Sequence, residues 1–227
     1  MRDFEAIIFD FDGVLLESEF ELNRLTADLL TELGHPTSFE ESIEHYTGLA
    51  GRQVIETIEA RIGRPLPAEF HSRMSEAGRR ALAEGIEPIA GALDFVRNLP
   101  PQLPRAIASS SSTMWVRTHL AHLGLCDAFE PHIYSGREHV SRGKPEPDLY
   151  LHAATRLGAD ILRTVIIEDS KVGATGALAS GAQVIGLAAG SHCLDGHADL
   201  LRSVGIKEVA SSFNEVSRML GLDQMSR

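Results

Sequence analysis

Four short stretches carry side chains able to do chemistry together, although they lie far apart in the chain. They are Asp10-Phe11-Asp12-Gly13, Ser109-Ser110, Lys144 within Gly143-Lys144-Pro145-Glu146-Pro147-Asp148, and Glu168-Asp169-Ser170. Carboxylates, a hydroxyl and a lysine are the set needed to move a phosphoryl group off an ester. A carboxylate nucleophile splits such a hydrolysis into two displacements through an aspartyl phosphate, and Asp10 is the candidate for it. The leaving alkoxide needs a proton, which Asp12, two residues on, can donate and later recover from water. A hard cation such as Mg²⁺ takes oxygen ligands and dehydrates reluctantly, so one or two carboxylates beside a phosphate oxygen suit it; Asp10 and Asp169 supply them. Lys144 would balance charge on the phosphoryl oxygens and the nucleophile. Ser109, with backbone N–H groups at a following helix start, would hold one oxygen.

Each stretch has a plainer reading when taken alone. Asp and Gly are common in turns after strands, a serine run caps helices, and an acidic pair suits a helix N-terminus. The case rests on all of them reaching one place, so the elements that carry them decide it. Short apolar runs at 6–9, 105–108, 132–134, 164–167 and 183–187 are separated by helical-length segments, which predicts a doubly wound α/β core around a parallel sheet. The reactive stretches follow the first, second and fourth runs. In open α/β sheets, ligands bind beyond the carboxyl ends of the strands.

From about Ser18 to Pro88 the pattern is helical, with no convincing strand. Ser18 with Glu21 reads as a capping box, followed by Leu22, Leu25, Leu29 and Leu33 at helical spacing and a stop at Gly34. Ser38 with Glu41 reads as a second helix start. Val54, Ile55, Ile58 and Ile62 share a face before Gly63, and Pro67 opens a further helix. The predicted organisation is a core of residues 1–15 and 89–227 with a helical cap at 16–88, the return crossing lying at 88–91.

At this point the sequence resembles the haloacid dehalogenase superfamily of phosphatases, in the subgroup with a helical cap inserted after the first strand. FDFDGVLLESE, IASSSS, GKPEPD and IIEDSKVGATGA match the four motifs of that family in order, over nearly the whole chain. The resemblance implies that Asp10 is nucleophile and Mg²⁺ ligand, and that Asp12 is acid/base and a ligand through its backbone carbonyl. It further implies that Asp169 binds the metal directly with Glu168 supporting it, that Ser109 and Ser110 receive phosphate, and that Lys144 bridges phosphate and nucleophile. Glu17 departs from the aspartate usual in relatives. Gly48-Leu49-Ala50-Gly51-Arg52 falls where relatives carry a substrate-specificity loop; Arg52 is its basic residue, read either as a substrate contact or as a solvated helix-start arginine. Sugar phosphates and phosphorylated sugar acids head the implied substrates. The β-phosphoglucomutase type is the alternative, but a histidine of those mutases on the first cap helix is matched here by Leu22.

Other readings fit less well. A formal net charge of -11 disfavours approach to a nucleic-acid backbone. The apolar run near the N-terminus is far short of the roughly 20 residues that span a bilayer. Two cysteines indicate no disulfide framework, so a reducing, cytoplasmic setting is expected. Ser191-His192-Cys193 with His197 lacks a familiar zinc spacing and reads as a surface loop. Gly173 and Gly176 do not complete a dinucleotide fingerprint and are expected to serve helix packing. A dehalogenase would need neither Asp12 nor Asp169, and a silent binding module would not need the whole set.

Overall fold

The structure is a computed structural model, described for residues 3–49 and 51–222. The described residues form one six-stranded sheet of β1 (Ala6–Phe9), β2 (Arg105–Ser109), β3 (Ile133–Ser135), β4 (Thr164–Glu168), β5 (Gln183–Leu187) and β6 (Glu208–Ala210). All pairs are parallel, in the order β3-β2-β1-β4-β5-β6. Four helices lie between β1 and Pro88: α1 (Ser18–Glu32), α2 (Phe39–Tyr46), α3 (Arg52–Ile62) and α4 (Ala68–Glu84). The rest are α5 (Ala92–Asn98), α6 (Thr113–Leu123), α7 (Cys126–Phe129), α8 (Asp148–Leu157), α9 (Lys171–Ala179), α10 (His197–Ser203) and α11 (Phe213–Leu220).

The apolar runs form central strands because both faces of the sheet are covered. Side chains alternate across a strand, and Ile7, Phe9, Val165 and Ile167 pack into one layer with Phe95, Val116, Leu120 and Phe213. Ile8 and Ile166 enter the other layer with Leu149, Tyr150, Ala153 and Ala174. Each buried Val, Leu, Ile or Phe side chain among them contributes about 1.5–3 kcal/mol. The strand order reverses beside β1, so the ends of β1, β2 and β4 open into the crevice where a doubly wound fold binds ligands.

The predicted strands are present, β2 and β4 each running one residue further than expected and β3 displaced by one. The edge strand β6, Glu208-Val209-Ala210, was not foreseen, because three residues beginning with an exposed glutamate present no apolar run. The helices α1 to α4 share their own apolar cluster of Leu29, Leu30, Tyr46, Ile58, Leu66 and Phe70. The capping box at Ser38 forms, with Glu41 N donating to Ser38 Oγ (3.1 Å) and Ser38 N to Glu41 Oε2 (2.9 Å). The one expected at Ser18 does not: the residue before the helix is Glu17, and Ser18 Oγ donates to Asp12 Oδ1 at 2.7 Å. A tertiary acceptor outcompetes the local cap. The buried stripe of α1 is also rotated from the expected one, with Asn23, Thr26, Leu29 and Leu30 inside and Leu22 at 41% exposure.

The chain leaves and re-enters the sheet side by side. Leu16 and Pro88 form an antiparallel bridge, Glu17 N donates to Glu87 O (2.9 Å), and Ile89 N donates to Leu15 O (3.1 Å). No described helix is long and apolar enough to cross a membrane.

Candidate active site

Asp10 follows the buried residues of β1, and its N–H extends the ladder to Ile167 O (3.0 Å). Lys144, 8% exposed, reaches it from the loop before α8. Its Nζ donates to Asp10 Oδ1 (2.7 Å) and to Glu168 Oε1 (2.6 Å). Glu168 has further protein partners: Tyr150 OH donates to Oε1 (2.6 Å), while Ser170 N and Ser170 Oγ donate to Oε2 (both 3.1 Å). A Cβ at Gly173 would sit 1.8 Å from Glu168 Oε1, so this helix glycine lets α9 pack against the carboxylate, as expected from its place in the sequence. Burial alone would push the Lys144 ammonium down, but Asp10 and Glu168 more than offset that and leave it above its usual range. Burial holds the Asp10 carboxyl well above the usual carboxylate range, with Glu168 and Asp169 adding to the rise and Lys144 opposing it.

Asp12 is held by donors from α1, α6 and the end of β2 with its following loop. Ser18 Oγ (2.7 Å) and Trp115 Nε1 (3.0 Å) donate to Oδ1, and Ser111 Oγ (2.7 Å) donates to Oδ2. Ser109 Oγ donates to Oδ2 over a long 3.4 Å and accepts from Ser111 N at 2.9 Å. Ser110 is half-buried and its hydroxyl makes no hydrogen bond among the described residues. Ser112 caps α6 by accepting from Trp115 N (3.2 Å). Thus Ser109 reaches Asp12 and Lys144 reaches Asp10, while Ser18, Ser111 and Trp115 join Asp12 and Tyr150 joins Glu168 unforeseen.

Asp169, 1% exposed, is gripped by the segment after β5. His192 Nε2 lies 2.8 Å from Asp169 Oδ2, and His197 Nε2 donates to the Asp169 carbonyl at 2.7 Å. His192 is wholly buried, which corrects the reading of this stretch as a surface loop. Nothing in the local sequence announces the pairing, since the partner lies 23 residues away. Gly13, at φ +80°, permits the approach: a Cβ there would stand 2.0 Å from Asp169 Oδ2. The departure at Glu17 has a structural use, because its carboxylate accepts from Ser191 N (2.9 Å) and Ser191 Oγ (3.1 Å) and ties the crossing to the histidine segment.

The loop between α2 and α3 meets the site through Glu19 and Gly48, not through Arg52. Glu19 Oε1 accepts from Gly48 N (3.3 Å) and Oε2 from Asn23 Nδ2 (3.0 Å), and Asn23 Oδ1 accepts from Ser42 Oγ (2.9 Å). Arg52 is not brought to the cluster: its side chain is 91% exposed and pairs with Glu56 at 2.6 Å, the solvated helix-start alternative. Arg137 is the cation packed against Gly51. Ala50 lies outside the described residues.

Residues 7–187 match the family of haloacid dehalogenase-like hydrolases. The chain belongs to this family. A conserved haloacid dehalogenase-like protein of unknown function from Agrobacterium tumefaciens strain C58 is similar over 97% of this chain and 99% of its own, at 34% identity and a TM-score of 0.85. A HAD family hydrolase from Deinococcus radiodurans R1, solved with phosphate and sodium bound, is similar over 99% and 98% of the two chains, at 31% identity and a TM-score of 0.80. The phosphorylated carbohydrates phosphatase of Thermotoga maritima is 30% identical over 188 residues, covering 80% of this chain and 83% of that one.

In this haloacid dehalogenase-like hydrolase the donor set fits a hard cation. Asp10, Glu168 and Asp169 offer carboxylate oxygens within 4.8 Å of one another. Asp169 Oδ1 is buried without a hydrogen-bond partner among the described residues, an orphan acceptor that a cation would satisfy. Burial, reinforced by Glu168 and opposed by Lys144, holds the Asp169 carboxyl well above its usual range, and a cation bound there would lower it.

Glu19 shares that environment. Burial, helped by Asp169 and Asp12, raises its carboxyl from 4.5 to about 8. The raised value means that the fold prefers the protonated form, so the stabilisation from this group is complete below the unfolded value and is lost as pH rises through about 8. In metal-free protein, Glu19→Gln should therefore gain stability over wild type between about pH 5 and pH 8.5. Thermal melts of both proteins across that range read the difference directly. A difference independent of pH would show that Glu19 carries no such strain.

Proposed function

We propose that this phosphatase of the haloacid dehalogenase-like family hydrolyses small phosphorylated metabolites, chiefly sugar phosphates and phosphorylated sugar acids, through a phosphorylated Asp10 and with Mg²⁺ as cofactor. The observation that carries the reading is Lys144 Nζ bridging Asp10 and Glu168 at 2.7 and 2.6 Å, beside the unpartnered Asp169 Oδ1. Relatives named for phosphorylated carbohydrates support the substrate class.

Asp10 attacks phosphorus, the ester P–O bond breaks, and Asp12 gives its proton to the leaving oxygen. Water then attacks the aspartyl phosphate, with Asp12 taking the proton. Lys144, Ser109 and Ser110 receive the phosphoryl oxygens, and Ser18, Ser111 and Trp115 keep the Asp12 carboxylate in place. Asp10, Asp169 and the Asp12 backbone carbonyl would hold Mg²⁺, with Glu168 anchoring Lys144 from behind. The ion, when bound, supplies positive charge to the transferring phosphoryl group. Residues 16–88 act as a cap over a core of 1–15 and 89–227, and exclude bulk water when closed. Arg52 is left to the rim. The free cysteines Cys126 and Cys193 suit a cytoplasmic setting.

Hydrolysis is favoured over mutation by Leu22, whose apolar side chain cannot take part in hydrogen bonding at the position where the mutases carry histidine. Two assays test the reading. An aryl phosphate should be hydrolysed with Mg²⁺, fall silent on chelation and recover on Mg²⁺ addition; undiminished activity after exhaustive chelation excludes the metal-dependent mechanism. With β-glucose 1-phosphate and a catalytic trace of the bisphosphate, inorganic phosphate should appear without accumulation of glucose 6-phosphate. Faster formation of glucose 6-phosphate would make the protein a mutase.

A further inference from the structure

The segment that grips Asp169 holds more than a single orienting histidine. Cys193 Sγ lies 3.5 Å from His192 Nε2, which is itself 2.8 Å from Asp169 Oδ2. His192, Cys193 and His197 can each bring a ligand atom within 4.8 Å of the others. The His192 and His197 rings meet edge to face with centroids 5.6 Å apart, and His192 is fully buried with Nδ1 unpartnered among the described residues. One histidine is enough to orient a carboxylate. Two imidazoles and a thiol around it form a donor set of another kind.

Imidazole, thiolate and one carboxylate suit a borderline-soft ion bound tetrahedrally, whereas the carboxylates beside Lys144 suit a hard one. With Zn–N near 2.0–2.1 Å and Zn–S near 2.3 Å, tetrahedral N and S ligands stand about 3.5 Å apart. That is the His192 Nε2 to Cys193 Sγ spacing. We propose that His192, Cys193, His197 and Asp169 form a binding site for a thiophilic divalent cation of the Zn²⁺ class, next to the hard-cation site and sharing Asp169 with it. Binding involves no redox step. The proton between His192 Nε2 and Asp169 Oδ2 and the Cys193 thiol proton leave to solvent, and the ion takes their places. His197 contributes a ring nitrogen, at the expense of its bond to the Asp169 carbonyl if that nitrogen is Nε2.

Occupation draws Asp169 Oδ2 and its charge toward the soft ion, so Zn²⁺ should raise the Mg²⁺ requirement and inhibit. The inhibition rests on the proposed role of Asp169; the binding does not, and is measured separately. Metal-free, reduced wild type titrated with Co²⁺ should show a near-ultraviolet thiolate-to-cobalt band with tetrahedral visible bands and bind about one equivalent. The bands should vanish in Cys193→Ser and persist in Cys126→Ser. In wild type alone, Zn²⁺ should slow alkylation of Cys193 about tenfold while leaving Cys126 unaffected, which needs no variant to fold. The Zn²⁺ concentration that halves activity should rise about tenfold in Cys193→Ser, each protein being normalised to its own zinc-free rate. Absence of a thiolate band in wild type, a band that survives Cys193→Ser, or no protection of Cys193 overturns the site. Equal zinc inhibition of both proteins overturns its regulatory consequence.

Discussion

Asp10→Asn should lower turnover by about 10⁴–10⁶-fold, the scale seen when a covalent nucleophile is removed, while the protein stays folded. An amide of nearly the same size cannot attack phosphorus and is a weaker ligand. Stability should be unchanged or slightly improved, because burial already holds the Asp10 carboxyl well above its usual range. Lys144 keeps Glu168 as a partner at 2.6 Å. The measurements are kcat, circular dichroism and acid-quenched labelling from radioactive substrate, with label expected on wild type only. Wild-type turnover by Asp10→Asn, after mass spectrometry has excluded deamidation, would remove Asp10 from the mechanism.

Lys144→Met should abolish activity and destabilise the fold by about 3–5 kcal/mol near neutral pH, the cost of breaking a buried pair from one side. It leaves Asp10, Glu168 and Asp169 facing one another without the ammonium that both Asp10 and Glu168 accept from. The pH dependence follows from the carboxyls. Burial already raises those of Asp10 and Asp169, and loss of Lys144 raises them further. A raised carboxyl stabilises the fold below its unfolded value and loses that contribution as pH rises through its folded value. The deficit of the variant should therefore be small at about pH 4–5 and grow toward pH 8 in metal-free protein. Urea denaturation at both ends of that range reads it. A constant deficit would mean that packing of the lysine stem, not its charge, is what was lost.

Much of the core was legible because its signals are local. A buried strand such as Ala6–Phe9 is an unbroken apolar run, and Asp10, Ser109, Lys144, Glu168 and Asp169 stand at or between strand ends in stretches that can be recognised one by one. What escaped was set by distant partners. Ser18 matches a capping box in sequence yet bonds to Asp12. Ser111 and Trp115 are ordinary helix-start residues until the fold brings Asp12 beside them. His192 carries no motif because its meaning comes from Asp169 and from the glycine that lets the two meet. Arg52 shows the opposite limit: its place in the sequence suggested the site, while rotation about α3 pairs it with Glu56 in solvent.

The paired crossings at Glu17–Glu87 and Leu15–Ile89 bear on how such a chain can change over time. The path from Ser18 to Ile86 departs and returns through neighbouring backbone hydrogen bonds, so to the sheet it is a closed detour whose two ends already touch. Lengthening a loop of this kind adds little closure entropy, since the cost grows only with the logarithm of its length. The detour can then be shortened, extended or rebuilt without altering the register of β1 against β2 and β4. Its contents are free to diverge while Asp10, Lys144 and Asp169 keep their positions, which makes the doorway at Leu16 and Pro88 the natural joint for exchanging one helical insert for another.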